Sequence, residues 1–272
     1  MQTESFYSQG GEDFLLSRLF PRERNGFFVE VGCIDGRRFS NTLHFEKRGW
    51  RGICVEAHRD YISLLEKNRP GSTIVHAAVG ERDQEDVSFF ANSRGSLSTL
   101  DRSKEQEFAE DYGEFFTGFQ VQKVPMLSLN TIFQRHGVQR IDILSLDIEG
   151  YEVQALKGLD LNRYRPDVFV IESEGLRHRR ALEQVLVPAG YHRIAVLDQN
   201  LFYSREQSYA GVIADKVFEG VTITHTEHPL DKTGDRPMTI DVSTRESRTQ
   251  PYLRALRSEI HRLSHMLRKG AR

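Results

Sequence analysis

The chain has 272 residues, of which 38% are hydrophobic and 28% charged, and its formal net charge is −2. This length supports one large α/β domain plus an appendage, and the balanced charge gives no overall attraction to nucleic acid or to a membrane surface. No apolar run approaches the roughly 18 residues of a spanning helix, the N-terminus lacks the features of a signal peptide, and two cysteines make no disulfide framework. We therefore expect a cytoplasmic protein with no transmembrane segment and no nucleic-acid partner.

Short helices and apolar strands alternate from residue 12 to residue 203. After a helix over 12–19, strands are predicted at 27–31, 52–56, 73–79, 87–90, 121–124, 141–147, 168–172, 193–197 and 200–203. Helices are predicted at 41–47, 60–68, 127–135, 151–156 and 179–186. This alternation indicates βαβ units and a doubly wound, mostly parallel sheet. Residues 92–119 show no clear period, so we expect an irregular segment there that acts as a lid.

The chain changes character towards its C-terminus, so we expect one domain over 1–218 followed by a linker and a helix. Residues 219–250 contain few large apolar side chains, which is typical of a linker. Residues 251–272 predict an amphipathic helix with a short heptad seam. The seam consists of Leu253, Leu256, Ile260, Leu263 and Leu267. The seam favours homo-oligomers; alternatively, the helix folds back on the domain or lies on an anionic membrane through its arginines.

Carboxylates stand at the ends of three predicted strands. They are Glu30, Asp35, Glu56, Asp147 and Glu149. Ligands of open parallel sheets bind at the carboxyl ends of the strands. Gly32 allows a ligand to approach the backbone closely, and Glu56 can accept both hydroxyls of a ribose. The pattern predicts a nucleoside ligand with a cationic tail. Arg37 stands where a dinucleotide fingerprint would have its third glycine, which disfavours a nicotinamide oxidoreductase.

Four blocks of the sequence resemble the FkbM family of S-adenosylmethionine-dependent O-methyltransferases. They are SQGGED, FVEVGCIDG, VEA and LSLDIEGYE, and the resemblance spans residues 5–205. It implies a class I, Rossmann-like methyltransferase fold, S-adenosylmethionine as cofactor, and a hydroxyl acceptor on a sugar, glycan or secondary metabolite. It places Gln9 and Asp13 near the methionine end of the cofactor and Asp147 with Glu149 at the reacting edge. The expected cofactor-binding residues are Gln9, Asp13, Glu30, Gly32, Asp35, Gly36, Asn41, Glu56, Ala57, His58 and Asp147.

Methyl transfer to a hydroxyl needs a general base or a metal ion, because a neutral hydroxyl is a poor nucleophile. Asp147 and Glu149 leave their strand as alternate residues and can direct both carboxylates to one side. Glu172 and Glu174 repeat this spacing at the end of the strand predicted at 168–172. Four carboxylates would suit Mg²⁺ or another hard cation. Alternatively, Glu149 caps the following helix and Glu172 pairs with an arginine. His178 is a rival catalytic base.

Two further alternatives remain open in the sequence. The chain could be a catalytically inactive, cofactor-binding scaffold that acts through its C-terminal helix, although Asp147 and Glu149 argue against this. A cluster formed by Arg177, Arg179 and Arg180 could bind an anionic acceptor, or it could be a solvated helix face. We favour the solvated face.

Overall fold

The computed structural model describes residues 5–21, 24–197, 199–206 and 208–209, and the backbone of two short strands at 222–224 and 239–241. The helices in these ranges are α1 (Glu12–Leu19), α2 (Leu43–Lys47), α3 (Ile62–Asn68), α4 (Lys104–Tyr112), α5 (Leu129–Arg135), α6 (Glu152–Lys157) and α7 (Leu176–Leu186). The first ten strands are β1 (Phe27–Val31), β2 (Arg51–Glu56), β3 (Ser72–His76), β4 (Ala78–Val79), β5 (Gln84–Asn92), β6 (Phe119–Leu127), β7 (Ile143–Leu146), β8 (Val168–Glu172), β9 (His192–Leu197) and β10 (Asn200–Ser204).

A seven-stranded sheet forms the centre of the fold, in the order β3-β2-β1-β7-β8-β10-β9. Five neighbouring strands of this sheet, β3, β2, β1, β7 and β8, run parallel, and β10 runs antiparallel to both of its neighbours. The chain winds outwards from β1 through β2 to β3 and then returns to place β7 on the other side of β1. This reversal creates the switch point at which such sheets bind ligands. The predicted doubly wound α/β fold is confirmed.

Helices cover both faces of this sheet because successive strand residues point to opposite sides. Val29 and Val31 of β1 lie in one buried cluster together with apolar side chains of α5, α6 and α7. Phe28 points the other way, into a second cluster with residues of α1, α2 and α3. All but the last residue of β8 are buried, as the continuous apolar run of this strand predicts.

The strand predicted at 73–79 is in fact two strands. β3 pairs with β2 up to His76, and the Ala77 N–H still donates to the Glu56 carbonyl. From Ala78 onwards the chain pairs with β6 instead, in a separate three-stranded sheet of order β4-β6-β5. The change of partner takes place within one residue, so the apolar run in the sequence continues across it.

The prediction of an irregular segment over 92–119 is wrong in part. β5 reaches Asn92, α4 forms in the middle of the segment, and a short 3₁₀ turn follows at Gly113–Phe115. Lys104 and Phe108 are the only two buried side chains of α4. They lie four residues apart and so face the same side, but one of the pair is a lysine, which hides the apolar period of the helix.

Most of the C-terminal region lies outside the described residues. Between 219 and 250 the structure describes only two antiparallel strands, β11 (Thr222–Thr224) and β12 (Thr239–Asp241). The predicted helix at 251–272 and its seam lie outside the described part of the chain. Among the helices that are described, none is long and apolar enough to span a bilayer.

Candidate active site

The carboxyl ends of β1, β2, β7 and β8 open onto a cavity of about 240 Å³. Each of these strands contributes a lining residue, in this order: Gly32, Glu56, Asp147 and Glu172. Neighbouring strands lie about 4.8 Å apart, so Glu56 and Glu172 stand roughly 14 Å apart across the sheet. The cavity therefore extends along the sheet edge, with Glu56 at one end and the later carboxylates at the other.

Gly32 brings two strand ends together in the middle of this edge. Its φ is +87°, and a Cβ atom built there would lie 1.8 Å from the carbonyl oxygen of Asp147. The Gly32 N–H donates to the Val55 carbonyl at 2.9 Å, and the Asp147 N–H donates to the Val31 carbonyl at 3.1 Å. No side chain at residue 32 fits between these two backbones. Glycine is therefore required here because the chain after β1 passes close to the chain after β7, and it also keeps the cavity accessible.

Glu56 is suited to hold a diol, as the sequence predicts. Its side chain is buried, and its two oxygens accept the Ile34 N–H and the His58 N–H, each at 2.7 Å. A carboxylate oxygen has two lone pairs, so each oxygen can still accept one hydroxyl from the cavity. Burial raises the pKa of Glu56 to about 7, while the backbone hydrogen bonds act to lower it.

An apolar wall stands beside Glu56, and the sequence interpretation missed it. Its members are Val55, Ala57, Ala77, Ala78, Val79, Phe89 and Leu97. Ala77 to Val79 follow β3, the strand next to β2, so the rule that ligands lie beyond strand ends could have identified them. Such a surface suits the flat face of an aromatic base.

Five of the expected cofactor residues line this cavity, namely Gln9, Gly32, Glu56, Ala57 and Asp147. Glu30, predicted to bind the cofactor, lies instead in a buried network below the cavity. It accepts hydrogen bonds from Asn41 N–H and Thr42 Oγ1, each at 2.7 Å, and from Arg69 Nη1 at 2.8 Å. A Cβ at Gly36 would lie 2.5 Å from Arg69 Cγ, so this glycine makes room for the arginine. Glu30, Gly36 and Asn41 thus support the loop after β1 rather than line the cavity.

Asp13, Asp35 and His58 also lie away from the cavity lining. Asp35 accepts a hydrogen bond from Arg38 Nε at 2.7 Å and fixes the loop after β1. Asp13 accepts the Ser8 hydroxyl at 2.6 Å, and burial raises its pKa to about 7. The His58 ring is buried, with Nε2 3.0 Å from a backbone carbonyl of β5, and burial lowers its pKa. These three side chains do not line the cavity, and their predicted contacts with the cofactor stay a prediction.

Three carboxylates share the other end of the cavity. Asp147, Glu149 and Glu172 each offer an oxygen, and these oxygens lie within 4.8 Å of one another. Burial raises the pKa of Asp147 to about 6. Burial and the charge of Asp147 raise the pKa of Glu149 to about 8 and that of Glu172 well above its ordinary value. Like charges at this distance cannot all ionise, so this acidic trio holds protons at neutral pH.

A tight turn before α6 positions the trio. Glu149 has a φ of +55°, which is unusual for a residue with a side chain. Its Oε1 accepts the Leu97 N–H at 3.1 Å, and its carbonyl accepts the Thr99 hydroxyl at 3.0 Å. Glu152 accepts the N–H groups of the turn, including that of Ile148 at 2.9 Å. Glu152 therefore fixes the turn that carries Glu149, and no side chain in the described ranges caps the start of α6.

Glu174 and His178, predicted as a metal ligand and a rival base, are not among the residues that line the cavity. Glu174 forms an ion pair with Lys104 and stands outside the trio, so the predicted set of four metal ligands is reduced to three. His178 Nδ1 accepts the Glu174 N–H at 3.3 Å, and Nε2 faces a Glu152 oxygen at 3.2 Å. Burial lowers the pKa of His178 to about 4. Because Nδ1 uses its lone pair to accept the Glu174 N–H, the neutral ring carries its hydrogen on Nε2 and offers no free lone pair to the cavity.

The charged residues that line the cavity are all acidic. They are Glu56, Asp147, Glu149 and Glu172, and no lysine, arginine or histidine joins them among the described lining residues. Arg177 and Arg180 are exposed, and neither they nor Arg179 lines the cavity. The cavity therefore suits a cationic ligand and offers no basic group to an anionic acceptor.

The profile of the methyltransferase FkbM domain matches residues 30–207. No curated protein matches the chain. Among solved structures, a TehB-like SAM-dependent methyltransferase from Corynebacterium glutamicum is 12% identical, with a TM-score of 0.37, and the alignment covers 72% of this chain and 88% of that one. Precorrin-6y C5,15-methyltransferase from Geobacter metallireducens is 11% identical, with a TM-score of 0.39 and coverage of 75% and 90%.

The family match covers well over half of the chain and includes the strands that build the cavity. The structure adds a buried carboxylate, Glu56, at one end of that cavity and an acidic trio at the other. The chain belongs to the FkbM methyltransferase domain family, and it is an S-adenosylmethionine-dependent methyltransferase with a class I, Rossmann-like fold.

Proposed function

We propose that the protein transfers a methyl group to a hydroxyl of an uncharged acceptor, most simply a sugar, a glycan or a secondary metabolite. The observation that supports this proposal is the distribution of charge in the cavity. Acidic groups occupy both ends, and no basic side chain is present in the described lining to neutralise an anionic acceptor. A proton acceptor is therefore available at the reacting end, as transfer to a hydroxyl requires.

The cavity residues fit S-adenosylmethionine, which supplies a methyl group on a positively charged sulfur. Glu56 would accept the ribose hydroxyls with its free lone pairs, and the apolar wall over Ala77–Val79 would contact the adenine. Gln9 would contact the methionine portion from the N-terminal segment. The acidic trio would stabilise the positive charge of the bound cofactor, because opposite charges attract strongly in a partly desolvated site.

Asp147 is the proposed general base. Its pKa of about 6 leaves it ionised at neutral pH, yet close enough to neutrality to accept a proton efficiently. Asp147 would accept the proton of the acceptor hydroxyl as the methyl group passes from the sulfonium sulfur to the acceptor oxygen, which leaves S-adenosylhomocysteine. Glu149 and Glu172 remain largely protonated beside it, because burial and the negative charge of Asp147 disfavour their ionisation. The trio thus concentrates one negative charge where the proton must go.

The same three carboxylates offer the oxygen ligands that a hard divalent cation prefers. A cation bound there would favour ionisation of all three groups and would acidify a bound hydroxyl. Chelation separates the two modes of proton removal. Activity that survives EDTA assigns the step to the free base, whereas activity lost in EDTA and restored by Mg²⁺ or Mn²⁺ assigns it to a cation.

The test uses labelled S-adenosylmethionine, a panel of sugars and glycans, and mass spectrometry of the products. Asp147→Asn keeps the shape of the side chain and removes its charge, and we expect turnover to fall about 10²- to 10⁴-fold. Calorimetry with S-adenosylhomocysteine should show nearly normal affinity for this variant. Glu66→Gln, an exposed change on α3, is the matched control. Wild-type turnover in Asp147→Asn would rule out the base assignment.

The inactive-scaffold alternative makes a different prediction for the same experiment. A scaffold would bind S-adenosylhomocysteine with normal affinity but transfer no methyl group to any acceptor in the panel or in a fractionated extract. A methylated neutral product that is absent with Asp147→Asn would exclude it. A methylated phosphosugar or sugar acid as the preferred product would contradict the proposed acceptor class.

A further inference from the structure

Residues 93–118, here called the cover segment, form one side of the cavity. They include α4 and the 3₁₀ turn after it, and they contribute Ser96, Leu97, Leu100, Tyr112 and Phe115 to the lining. Tyr112 and Phe115 are 39% and 47% exposed, so their rings stand at the mouth rather than in the core. The position of this segment therefore determines the shape of the entrance.

α4 packs against the protein through two buried side chains. Of its nine residues, only Lys104 and Phe108 are buried. The Phe108 ring packs against Phe116 and Phe119, with centroids 5.7 and 6.1 Å away, and these residues belong to the cover segment itself and to the start of β6. The Phe108 cluster therefore does not connect α4 to the acidic end of the cavity.

Lys104 makes that connection. Its ammonium group forms an ion pair with Glu174, which follows β8, and the two side chains are only 9% and 27% exposed. A Cβ at Gly150, just after β7, would lie 2.4 Å from Lys104 Nζ, so the lysine packs directly on that glycine. One side chain of the cover segment thus contacts the loops that follow both strands of the reacting edge. A buried ammonium is costly unless it is paired, so the contact with Glu174 is required for this geometry.

We propose that Lys104 is a positioning residue for the methyl acceptor. Through Glu174 it holds α4 against the reacting edge, and this places Tyr112 and Phe115 where they contact an acceptor that enters the cavity. The inference rests on the proposed function only in assuming that the acceptor enters past this segment. Of the groups proposed to hold the cofactor, only Leu97 belongs to the cover segment, and its N–H is held by Glu149 Oε1 at 3.1 Å, separately from the ion pair. We therefore expect the ion pair to affect cofactor binding little.

Limited proteolysis with a glutamate-specific protease tests the anchor without any acceptor. The cover segment carries exposed cleavage sites at Glu105, Glu107, Glu110 and Glu114. These sites are cut when α4 opens locally, so the cleavage rate reports how firmly the helix is held. We expect Lys104→Met and Glu174→Gln each to raise the rate about tenfold, in proportion to the loss of a largely buried ion pair.

A double-variant cycle gives the sharper result. The double variant should be cut no faster than either single variant, because each single change already breaks the same pair. Lys104→Arg should restore slow cleavage, and Lys157→Met, an exposed change at the end of α6, should leave it unaltered. A hundredfold, additive effect in the double variant, or a wild-type rate in Lys104→Met, would overturn the anchor.

Steady-state kinetics with a methylated acceptor tests the consequence. We expect Lys104→Met to raise the KM for the acceptor about tenfold, while kcat and the affinity for S-adenosylhomocysteine change by less than about threefold. An unchanged acceptor KM together with fast cleavage would overturn the positioning role. If wild-type protein fails to bind S-adenosylhomocysteine at all, the proposed function fails, yet the cleavage cycle still decides whether the anchor exists.

Discussion

Replacing Glu56 with alanine tests how the cofactor is held. The carboxylate already accepts the Ile34 and His58 N–H groups, so only one lone pair on each oxygen remains for the ribose. Glu56→Ala leaves two ribose hydroxyls without acceptors, which should cost about 1.5–3 kcal/mol of binding, or roughly ten- to a hundredfold in affinity. Calorimetry with S-adenosylhomocysteine at pH 8 measures the change, with Glu66→Ala on α3 as the exposed control.

The same substitution should also affect stability and the pH dependence of binding. Two backbone N–H groups lose their acceptor, and since water can enter from the cavity we expect a loss of about 1–3 kcal/mol in the free energy of unfolding. The pKa of Glu56 is about 7, and only the ionised form can accept two hydroxyls fully, so wild-type affinity should fall between pH 8 and pH 6. Glu56→Ala should lose that component. An unchanged dissociation constant in folded Glu56→Ala protein would refute the ribose assignment.

Three further predictions concern Gly32, the acidic trio and the C-terminal helix that the sequence predicts. Gly32→Ala should unfold the protein or abolish cofactor binding, because its Cβ would lie 1.8 Å from the Asp147 carbonyl oxygen. The control is Gly137→Ala, which is also at positive φ but has nothing within 4 Å of its Cβ. It should lower the free energy of unfolding in urea by only about 1 kcal/mol. Burial raises the pKa of Asp147 to about 6 and that of Glu149 to about 8, above the values near 4 of an unfolded chain. The folded state therefore binds extra protons, and the free energy of unfolding should fall as pH rises from about 4 to 8. Urea midpoints that stay level or rise over this range would contradict the prediction. Removal of residues 246–272 should lower the oligomeric state in light scattering, because it deletes the predicted heptad seam, and an unchanged state would exclude that seam as the contact.

Most of the fold could be predicted because strand periodicity and strand-end chemistry are local signals. The prediction for β8 matches the observed strand, Val168–Glu172, and this run is buried on both faces of the sheet. The division between β3 and β4 could not be predicted, because the apolar run continues from Val75 to Val79 while the pairing partner changes. α4 was missed because its period depends on a buried lysine, and the reason for burying it is Glu174, 70 residues away.

The site was predictable where a residue stands at the carboxyl end of a parallel strand. Gly32 and Glu56 line the cavity as expected, because they follow or end the neighbouring strands β1 and β2. Glu30 looked equivalent to Glu56 in the sequence but faces Arg69, which follows 39 residues later and could not be paired with it from spacing alone. Acidic residues near a strand end are thus ambiguous until the position of the cations is known.

The cofactor loop and the reacting edge are joined by backbone rather than by side chains. Asp147 donates its N–H to β1, and its carbonyl occupies the space that a side chain at residue 32 would need. A shift of the β1 loop therefore moves the proposed base together with the cofactor site. Methyl transfer requires the acceptor oxygen and the methyl carbon to be aligned closely. If a side chain joined the cofactor loop to the reacting edge, its rotamers would allow the two parts to move relative to each other. This backbone junction removes that freedom, so we expect the adjustable part of the site to be α4 of the cover segment. The segment contacts the loop after β7 through Leu97 and Thr99, and α4 is anchored to the loop after β8 at Lys104.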